Sequence, residues 1–127
     1  MKLQFEPDKG LIIVPTKLIG KNGDIIVRLA LDTGATKTMI NWHILVLLGY
    51  DPAAISNRVQ MTTGSGVEFV PIIEIEKVDA LGIAKLKLPV LCHTLPPSAT
   101  VDGLLGLDFF SNKKLTIDFR NGKIIVL

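Results

Sequence analysis

Closely spaced turn signals divide this chain into short apolar runs. Asn22-Gly23, Asn121-Gly122 and the glycine-rich Gly64-Ser65-Gly66 each stand between stretches rich in Val, Ile and Leu. Asn-Gly is a strong signal for a tight hairpin, because both residues tolerate positive φ angles. Short β-branched runs between such turns are typical of strands. The chain is therefore predicted to be all-β, either a compact barrel or a sandwich.

The predicted strands lie on both sides of these turns. They are expected over residues 10–19, 25–31, 58–63, 67–78, 83–93, 114–119 and 123–126. Pro15 indicates an edge or a bend in the first strand, because proline cannot donate to a β-ladder. For the same reason a break is expected at Pro89, and Pro96-Pro97 predicts a loop.

Only short helices are predicted. Residues 41–48 have apolar positions at helical spacing, with Asn41 as a suitable N-cap and Gly49 as the end. A further turn is expected at 51–55, and residues 104–112 begin as a buried apolar run and continue as a short helix. Because strands and helices do not alternate regularly, a parallel α/β sheet is excluded.

The composition bounds the size and the partners of the protein. Its 127 residues predict a single domain over 1–127. With 48% hydrophobic residues and a mean hydropathy of +0.44, the chain is apolar for a small soluble protein. The longest apolar run, 44–48, is far shorter than the roughly 20 residues of a membrane helix, so no membrane partner is expected. Burial against a partner subunit explains the apolar surplus, with an unusually apolar monomer core as the alternative.

Charge and cysteine usage argue against several classes of function. The net charge is +2 and the basic residues are dispersed, Lys113-Lys114 being the only adjacent pair, so nucleic-acid binding is not expected. Cys92 is the only cysteine, which excludes an intrachain disulfide. His43 and His93 lack further ligands at metal-site spacing, so neither a metal nor another cofactor is predicted. The start of the chain lacks a signal-peptide pattern, and a cytoplasmic location is expected.

Asp32 is the residue that most suggests chemistry. It directly follows the buried-looking strand 25–31, where an uncompensated charge is costly. Thr33 brings a hydroxyl, and Gly34 allows close backbone approach and has an amide that can donate to a carboxylate. These features suit an acid held at the end of a strand and facing a cleft. The alternative is an ordinary strand-ending turn, since Asp, Thr and Gly are all common in turns.

Two segments of the chain, one around Asp32 and the other over residues 101–110, resemble a known family. Leu29-Ala30-Leu31-Asp32-Thr33-Gly34-Ala35-Thr36 is similar to the active-site loop of retroviral-type aspartic peptidases (retropepsins). It also resembles the protease-like domain of the eukaryotic DNA-damage-inducible ubiquitin-shuttle proteins. Val101-Asp102-Gly103-Leu104-Leu105-Gly106-Leu107-Asp108-Phe109-Phe110 resembles their hydrophobic-hydrophobic-Gly element and the following helix. Residues 115–119 resemble the cellular and bacterial members of the family. Those members also have a sequence like Leu107-Asp108 where the retroviral enzymes have Arg.

The resemblance implies a retropepsin-like closed β-barrel with one or two short helices and a flap hairpin. In such a barrel the segment 103–106 passes behind the active-site loop, with Leu104 and Leu105 in the core and Gly106 allowing tight packing. Asp108 is expected to be a helix-terminal or ion-pairing residue without a catalytic role. In the loop itself, support for Asp32 is expected from Thr33, Gly34 and Ala35, and Thr33 would bond across a dimer axis.

The hairpin 60–67 occupies the place of the family's flap. Its tip would consist of Thr63, Gly64, Ser65 and Gly66. Glycines there would let the hairpin open and close, and its backbone could bind an extended peptide as an added strand. An ordinary solvent-exposed hairpin is the alternative.

The resemblance implies an aspartic endopeptidase, but each chain supplies only one Asp-Thr-Gly and no internal repeat. Chemistry of this class uses two carboxylates that share a proton. The prediction is therefore a homodimer in which two Asp32 residues activate a water to hydrolyse an extended peptide or protein substrate. Two alternatives stay open: a catalytically silent peptidase-fold module that binds peptides or dimerises, and a small domain that serves only assembly.

Overall fold

The computed structural model describes residues 1–96 and 98–127, and Thr63 by its backbone alone. The described part contains ten strands: β1 (Lys2–Gln4), β2 (Ile13–Gly20), β3 (Gly23–Leu31), β4 (Met39–Asn41), β5 (Arg58–Thr63), β6 (Gly66–Ala80), β7 (Ile83–His93), β8 (Gly103–Leu105), β9 (Leu115–Asp118) and β10 (Lys123–Val126). Its helical elements are α1 (Trp42–Leu47) and two 3₁₀ turns, Pro52–Ala54 and Leu107–Phe110. Pro97, in the loop expected at Pro96-Pro97, lies outside the described residues.

Six strands close into a barrel in the order β2-β3-β8-β4-β7-β6, and β6 pairs again with β2. The closing contact is short: residues 17–19 of β2 pair antiparallel with residues 77–79 of β6. β5 pairs with β6 outside this ring and lies at the edge of the sheet. The predicted closed barrel is therefore confirmed, and the sandwich alternative is wrong.

Most of the predicted turns are confirmed. The β2–β3 hairpin turns at Lys21-Asn22, with Gly20 paired to Gly23, and β9 and β10 flank the turn at Asn121-Gly122. Pro15 lies in the part of β2 that precedes its pairing with β6. The strand therefore has an open edge there, and the missing amide costs no ladder hydrogen bond.

The break expected at Pro89 is wrong. β7 runs from residue 83 to 93, and Pro89 stands opposite Glu74 in its ladder with β6. The Leu91 amide points away from β6, toward the Thr38 carbonyl at 2.9 Å. Residues two apart direct their amide groups to the same side of a strand, so Pro89 removes no bond to β6. The irregularity lies instead at Lys87, whose φ is +53°.

The predicted helix is present and packs its buried face against the barrel core. The Asn41 side chain caps α1 by accepting from the His43 amide at 3.3 Å, and Ile44 and Leu45 are buried. The barrel interior is filled from several strands and from the second 3₁₀ turn. Its largest fully buried side chains include Phe109, Leu18, Leu29, Ile40, Leu45, Ile75 and Leu105. Within the described residues, no helix has the length and apolar character to span a membrane.

The chain ends form a separate three-stranded sheet in the order β1-β10-β9. The N-terminal segment 1–10, for which the sequence shows no counterpart in the family, thus supplies β1. The Asp118 carboxylate holds the following turn, because it accepts from the Asn121 side chain at 2.8 Å and from two backbone amides. These hydrogen bonds lower the pKa of Asp118 from its ordinary value, and the bond from the Asn121 side chain has the largest effect. Both edges of β10 are thus paired within one chain, with β1 on one side and β9 on the other.

Candidate active site

Asp32 is held at the end of β3 by strands on both sides. The Leu31 amide donates to the Ile12 carbonyl at 2.8 Å, and the Asp32 amide donates to the Leu105 carbonyl at 3.0 Å. β8 runs parallel to β3 here, with Leu105 opposite Leu31. The backbone of Asp32 is therefore fixed by the barrel rather than by the loop alone.

The loop that follows binds its own carboxylate. The Gly34 amide donates to Asp32 Oδ1 at 2.9 Å, as the sequence suggested, and the Ala35 amide donates to the Asp32 carbonyl at 3.1 Å. Asp32 is half-buried and Thr33 is exposed. Oδ2 of Asp32 accepts no hydrogen bond from the described residues. One carboxylate oxygen is thus bonded to the loop backbone, and the other is not bonded to any described residue.

The hydrophobic-hydrophobic-Gly element lies directly behind this loop. The Leu107 amide donates to the Ala35 carbonyl at 2.9 Å. A Cβ added at Gly106 would stand 2.7 Å from the Lys37 carbonyl carbon and 2.8 Å from the Ala35 oxygen, and one added at Gly103 would overlap the Met39 carbonyl oxygen. Such contacts with backbone leave no room for a side chain, so both positions require glycine.

The two leucines of this element have different roles. Leu105 is fully buried, as expected for a core residue. Leu104, which the sequence also assigned to the core, is half-buried and lines the cleft beside Asp32. Successive side chains of a strand point to opposite faces, which accounts for the difference.

A buried threonine joins the loop to the second 3₁₀ turn, and sequence reasoning missed it. Thr38, which is 0% exposed, donates its amide and its hydroxyl to Asp108 Oδ1 at 3.0 and 2.8 Å. Its hydroxyl also accepts from the Gly106 amide at 3.1 Å. Asp108 is therefore the helix-terminal residue that was expected, with Thr38 as its partner. A threonine at the start of the apolar run Thr38-Met39-Ile40 was the available signal.

A cleft of about 440 Å³ opens between the Asp32 loop and β5. It is lined by Asp32, Gly34, Ala35, Thr36, Lys37, Met39, Val59, Gln60, Met61, Thr62, Leu91 and Leu104. The walls are mainly apolar, and among the described lining residues Asp32 is the only acid and Lys37 the only base. A larger cavity of about 520 Å³, lined by residues that include Phe5 and Arg28, does not contain Asp32. The chemistry available at Asp32 therefore belongs to the smaller cleft.

The upper wall of this cleft is the β5–β6 hairpin. Thr63 pairs with Gly66 across a turn at Gly64-Ser65, and the residues from 64 to 69 are exposed. The β5 arm, residues 59–62, lines the cleft. The predicted hairpin is thus present above the loop, with its arm toward Asp32 and its tip in solvent.

Comparison with known proteins identifies the family of this chain. A sequence profile of the family described as "gag-polyprotein putative aspartyl protease" matches residues 19–112, most of the chain. The chain belongs to the retropepsin-like aspartic proteases. No curated protein sequence matches it significantly.

Two solved structures of retropepsin-like proteins show the same architecture. A retropepsin-like aspartic protease from Rickettsia conorii superposes with a TM-score of 0.76 at 17% identity, over 99% of this chain and 88% of that chain. The retroviral protease-like domain of Ddi1 from Leishmania major gives a TM-score of 0.50 at 17% identity, over 92% and 93%. At this identity the likeness extends to the fold alone.

In this retropepsin-like chain a side-chain contact ties the hairpin to the barrel. His93 Nε2 lies 2.8 Å from Glu68 Oε2, and His93 Nδ1 lies 2.7 Å from the Thr94 carbonyl oxygen. Glu68 belongs to the hairpin part of β6, and His93 ends β7. His93 therefore has a structural contact, as the sequence suggested, and the sequence did not identify Glu68 as its partner.

Neither Cys92 nor His43 lines the cleft. Burial raises the pKa of the Cys92 thiol to about 11, so its reactive thiolate is scarce at neutral pH. His43 is exposed beside the cap of α1. Within residues 1–96 and 98–127, no three His, Cys, Asp or Glu side chains come together as metal ligands. Asp32 is thus the candidate reactive group of this retropepsin-like site.

Proposed function

We propose that this chain is one half of an aspartic endopeptidase, active as a homodimer with Asp32 from each copy. One observation carries the proposal: Asp32 lines a mainly apolar cleft, with one carboxylate oxygen bound by the Gly34 amide at 2.9 Å and the other not bonded to any described residue. A half-buried acid in a concave site is a candidate catalytic group.

The need for a second copy follows from the chemistry of the cleft. Asp32 is the only acid among the described residues that line it, and one carboxylate cannot serve as base and acid at the same moment. Two carboxylates held side by side share one proton, which is the established behaviour of aspartic proteases. A two-fold axis between two Asp32 loops brings them together. Thr33 is exposed next to Asp32 and is available for a bond across that axis.

In the proposed mechanism the ionised Asp32 takes a proton from a water held between the two carboxylates. The water oxygen attacks the scissile carbonyl, while the protonated Asp32 of the other copy donates a hydrogen bond to the carbonyl oxygen. A proton then passes to the leaving nitrogen as the C–N bond breaks. The two titrations belong to the pair rather than to either residue. The Gly34 amide keeps Oδ1 in place throughout.

The hairpin is the proposed flap. Its β5 arm lines the cleft, and β5 has no neighbour among the described strands apart from β6. Closing it over an extended peptide would remove water from the reacting bond and add backbone hydrogen bonds to the substrate. The tip residues Thr63, Gly64, Ser65 and Gly66 would move most.

The extent of the domain, the number of copies and the cellular location are part of the same proposal. We expect one peptidase domain over residues 1–127, two copies per active enzyme, and a reducing cytoplasm as the location. The single buried free thiol of Cys92 supports that compartment. Because both edges of β10 are paired within one chain, the two copies would meet through other surfaces.

A cleavage assay at acid pH tests the proposal. Wild type should hydrolyse unstructured peptides, and Asp32→Asn should lose this activity while keeping its fold by circular dichroism. The rival function is a catalytically silent module that binds peptides. Peptide binding by wild type without any cleavage would favour that module, and full activity of Asp32→Asn would exclude the mechanism.

A further inference from the structure

One basic residue lines the cleft and has no part in the proposed mechanism. Lys37 lines the cleft together with Asp32, and no other basic residue does so among the described lining residues. Its neighbours in the lining are largely apolar, with Met39, Leu91 and Leu104 on the barrel side. A substrate side chain bound near this amine would therefore meet an apolar wall and a single cation.

The backbone next to Lys37 is held in place, whereas the side-chain amine of Lys37 takes part in none of the ion pairs among the described residues. The next residue, Thr38, is buried and bound to Asp108 through both its amide and its hydroxyl. Lys37 itself is exposed. The ion pairs of the described chain join Lys9 to Glu6, Lys17 to Asp24 and His93 to Glu68, so none of them uses the Lys37 amine.

We infer that Lys37 is a specificity residue that selects peptides with an acidic side chain close to the scissile bond. This inference rests on the proposed function and specifies its substrate class. In a two-fold dimer one Lys37 would stand on each side of the two Asp32 residues. The favoured substrate is an extended peptide with apolar residues at the cleaved bond and Asp or Glu flanking them. The net charge of +2 also favours acidic peptides over basic ones.

The expected size of the effect follows from the exposure of Lys37. Ion pairs that stay in contact with water contribute little, and each should change the specificity constant by no more than about fivefold. Salt screens such pairs, so the preference should shrink as ionic strength rises. A preference caused only by the shape of the cleft would not respond to salt.

Matched peptides, compared at about pH 6 so that the Glu side chain is ionised, measure this preference. Each pair has the same apolar centre and carries Glu or the isosteric Gln at one flanking position. Wild type should cleave the Glu member with a kcat/KM up to about fivefold higher. Lys37→Glu should reverse the order, and Lys37→Met should abolish it. Lys113→Glu makes the same charge change at an exposed residue outside the cleft and should leave the wild-type order intact.

A second measurement separates this inference from the proposed function. Binding of the same peptides to the Asp32→Asn variant is measured with and without the Lys37→Glu change. Binding does not require turnover. Tighter binding of the Glu peptides that reverses with Lys37→Glu supports the inference even if wild type cleaves nothing. Equal binding of Glu and Gln peptides overturns it, as does cleavage by wild type with no salt-sensitive preference.

Discussion

The two walls of the cleft are built in opposite ways. On the barrel side the loop from Asp32 to Thr38 is bonded to β8 and to the second 3₁₀ turn through backbone amides, a buried hydroxyl and the Asp108 carboxylate. On the hairpin side β5 pairs with β6, residues 64 to 69 are exposed, and Glu68 contacts His93 at the end of β7. The first wall is thus bonded to two other elements of the barrel behind it, whereas much of the second is open to solvent.

The difference indicates how the molecule divides its tasks. A catalytic acid needs a fixed position, because small displacements of the reacting groups slow the chemistry. A flap must move to admit an extended chain, and such elements come from the less stable parts of a fold. Equivalent substitutions should therefore be costly behind Asp32 and nearly neutral in the hairpin.

Glycine replacement gives the largest expected contrast. Gly106→Ala places a methyl group against the backbone of Lys37 and Ala35, and should lower the free energy of unfolding by about 3 kcal/mol. Gly64→Ala meets nothing within 4 Å and should change it by no more than about 0.5 kcal/mol. Chemical denaturation measures both. A Gly106→Ala protein as stable as Gly64→Ala would show that β8 does not press against the loop.

Removal of one hydroxyl gives a smaller contrast. Thr38→Val keeps the shape of the side chain but leaves the buried Gly106 amide without its acceptor, which should cost about 2 kcal/mol. Thr62→Val makes the same change on exposed β5 and should be within about 0.5 kcal/mol of wild type. Thermal unfolding of the two variants compares them. Equal melting temperatures would contradict a supporting role for Thr38.

The smallest effect is expected at the contact between the hairpin and the barrel. Glu68→Gln removes the charge that faces His93, and should speed amide hydrogen exchange in residues 58–70 by up to about fivefold without changing global stability. Glu74→Gln, an exposed change further along β6, serves as the control and should leave exchange unchanged. Unaltered hairpin exchange in Glu68→Gln would mean that this contact does not restrain the flap.

Local signals in the sequence predict much of this fold. Asn22-Gly23 and Asn121-Gly122 predict their hairpins, because the turn geometry depends on the residues of the turn itself. Asn41 and Gly49 bound α1 for a similar reason. The position of Asp32 at the end of β3 also follows from the run 25–31, which is apolar except for Arg28. These features are local in the chain. The helix α1 and the end of β3 were found where they were expected, whereas the first hairpin turns one residue earlier, at Lys21-Asn22, with Gly23 paired to Gly20.

Contacts between distant residues were not predictable in the same way. Thr38 and Asp108 are 70 residues apart, and nothing local in either segment indicates their bond. The pairing of β1 with β10 joins opposite ends of the chain, and both are ordinary strand sequences. The effect of Pro89 was not predictable either, because it depends on which side of β7 its nitrogen faces. Pairing partners and strand faces are decided by the closed barrel as a whole.

The central claim is that one active site requires Asp32 from two copies, and a mixing experiment tests it most directly. Wild type is held at a fixed amount, allowed to re-equilibrate with an equal amount of Asp32→Asn chain, and assayed for peptide cleavage. Random pairing should convert half of the wild-type chains into inactive mixed dimers, so activity should fall to about half. Activity that stays at its starting value while mixed dimers form would contradict the claim.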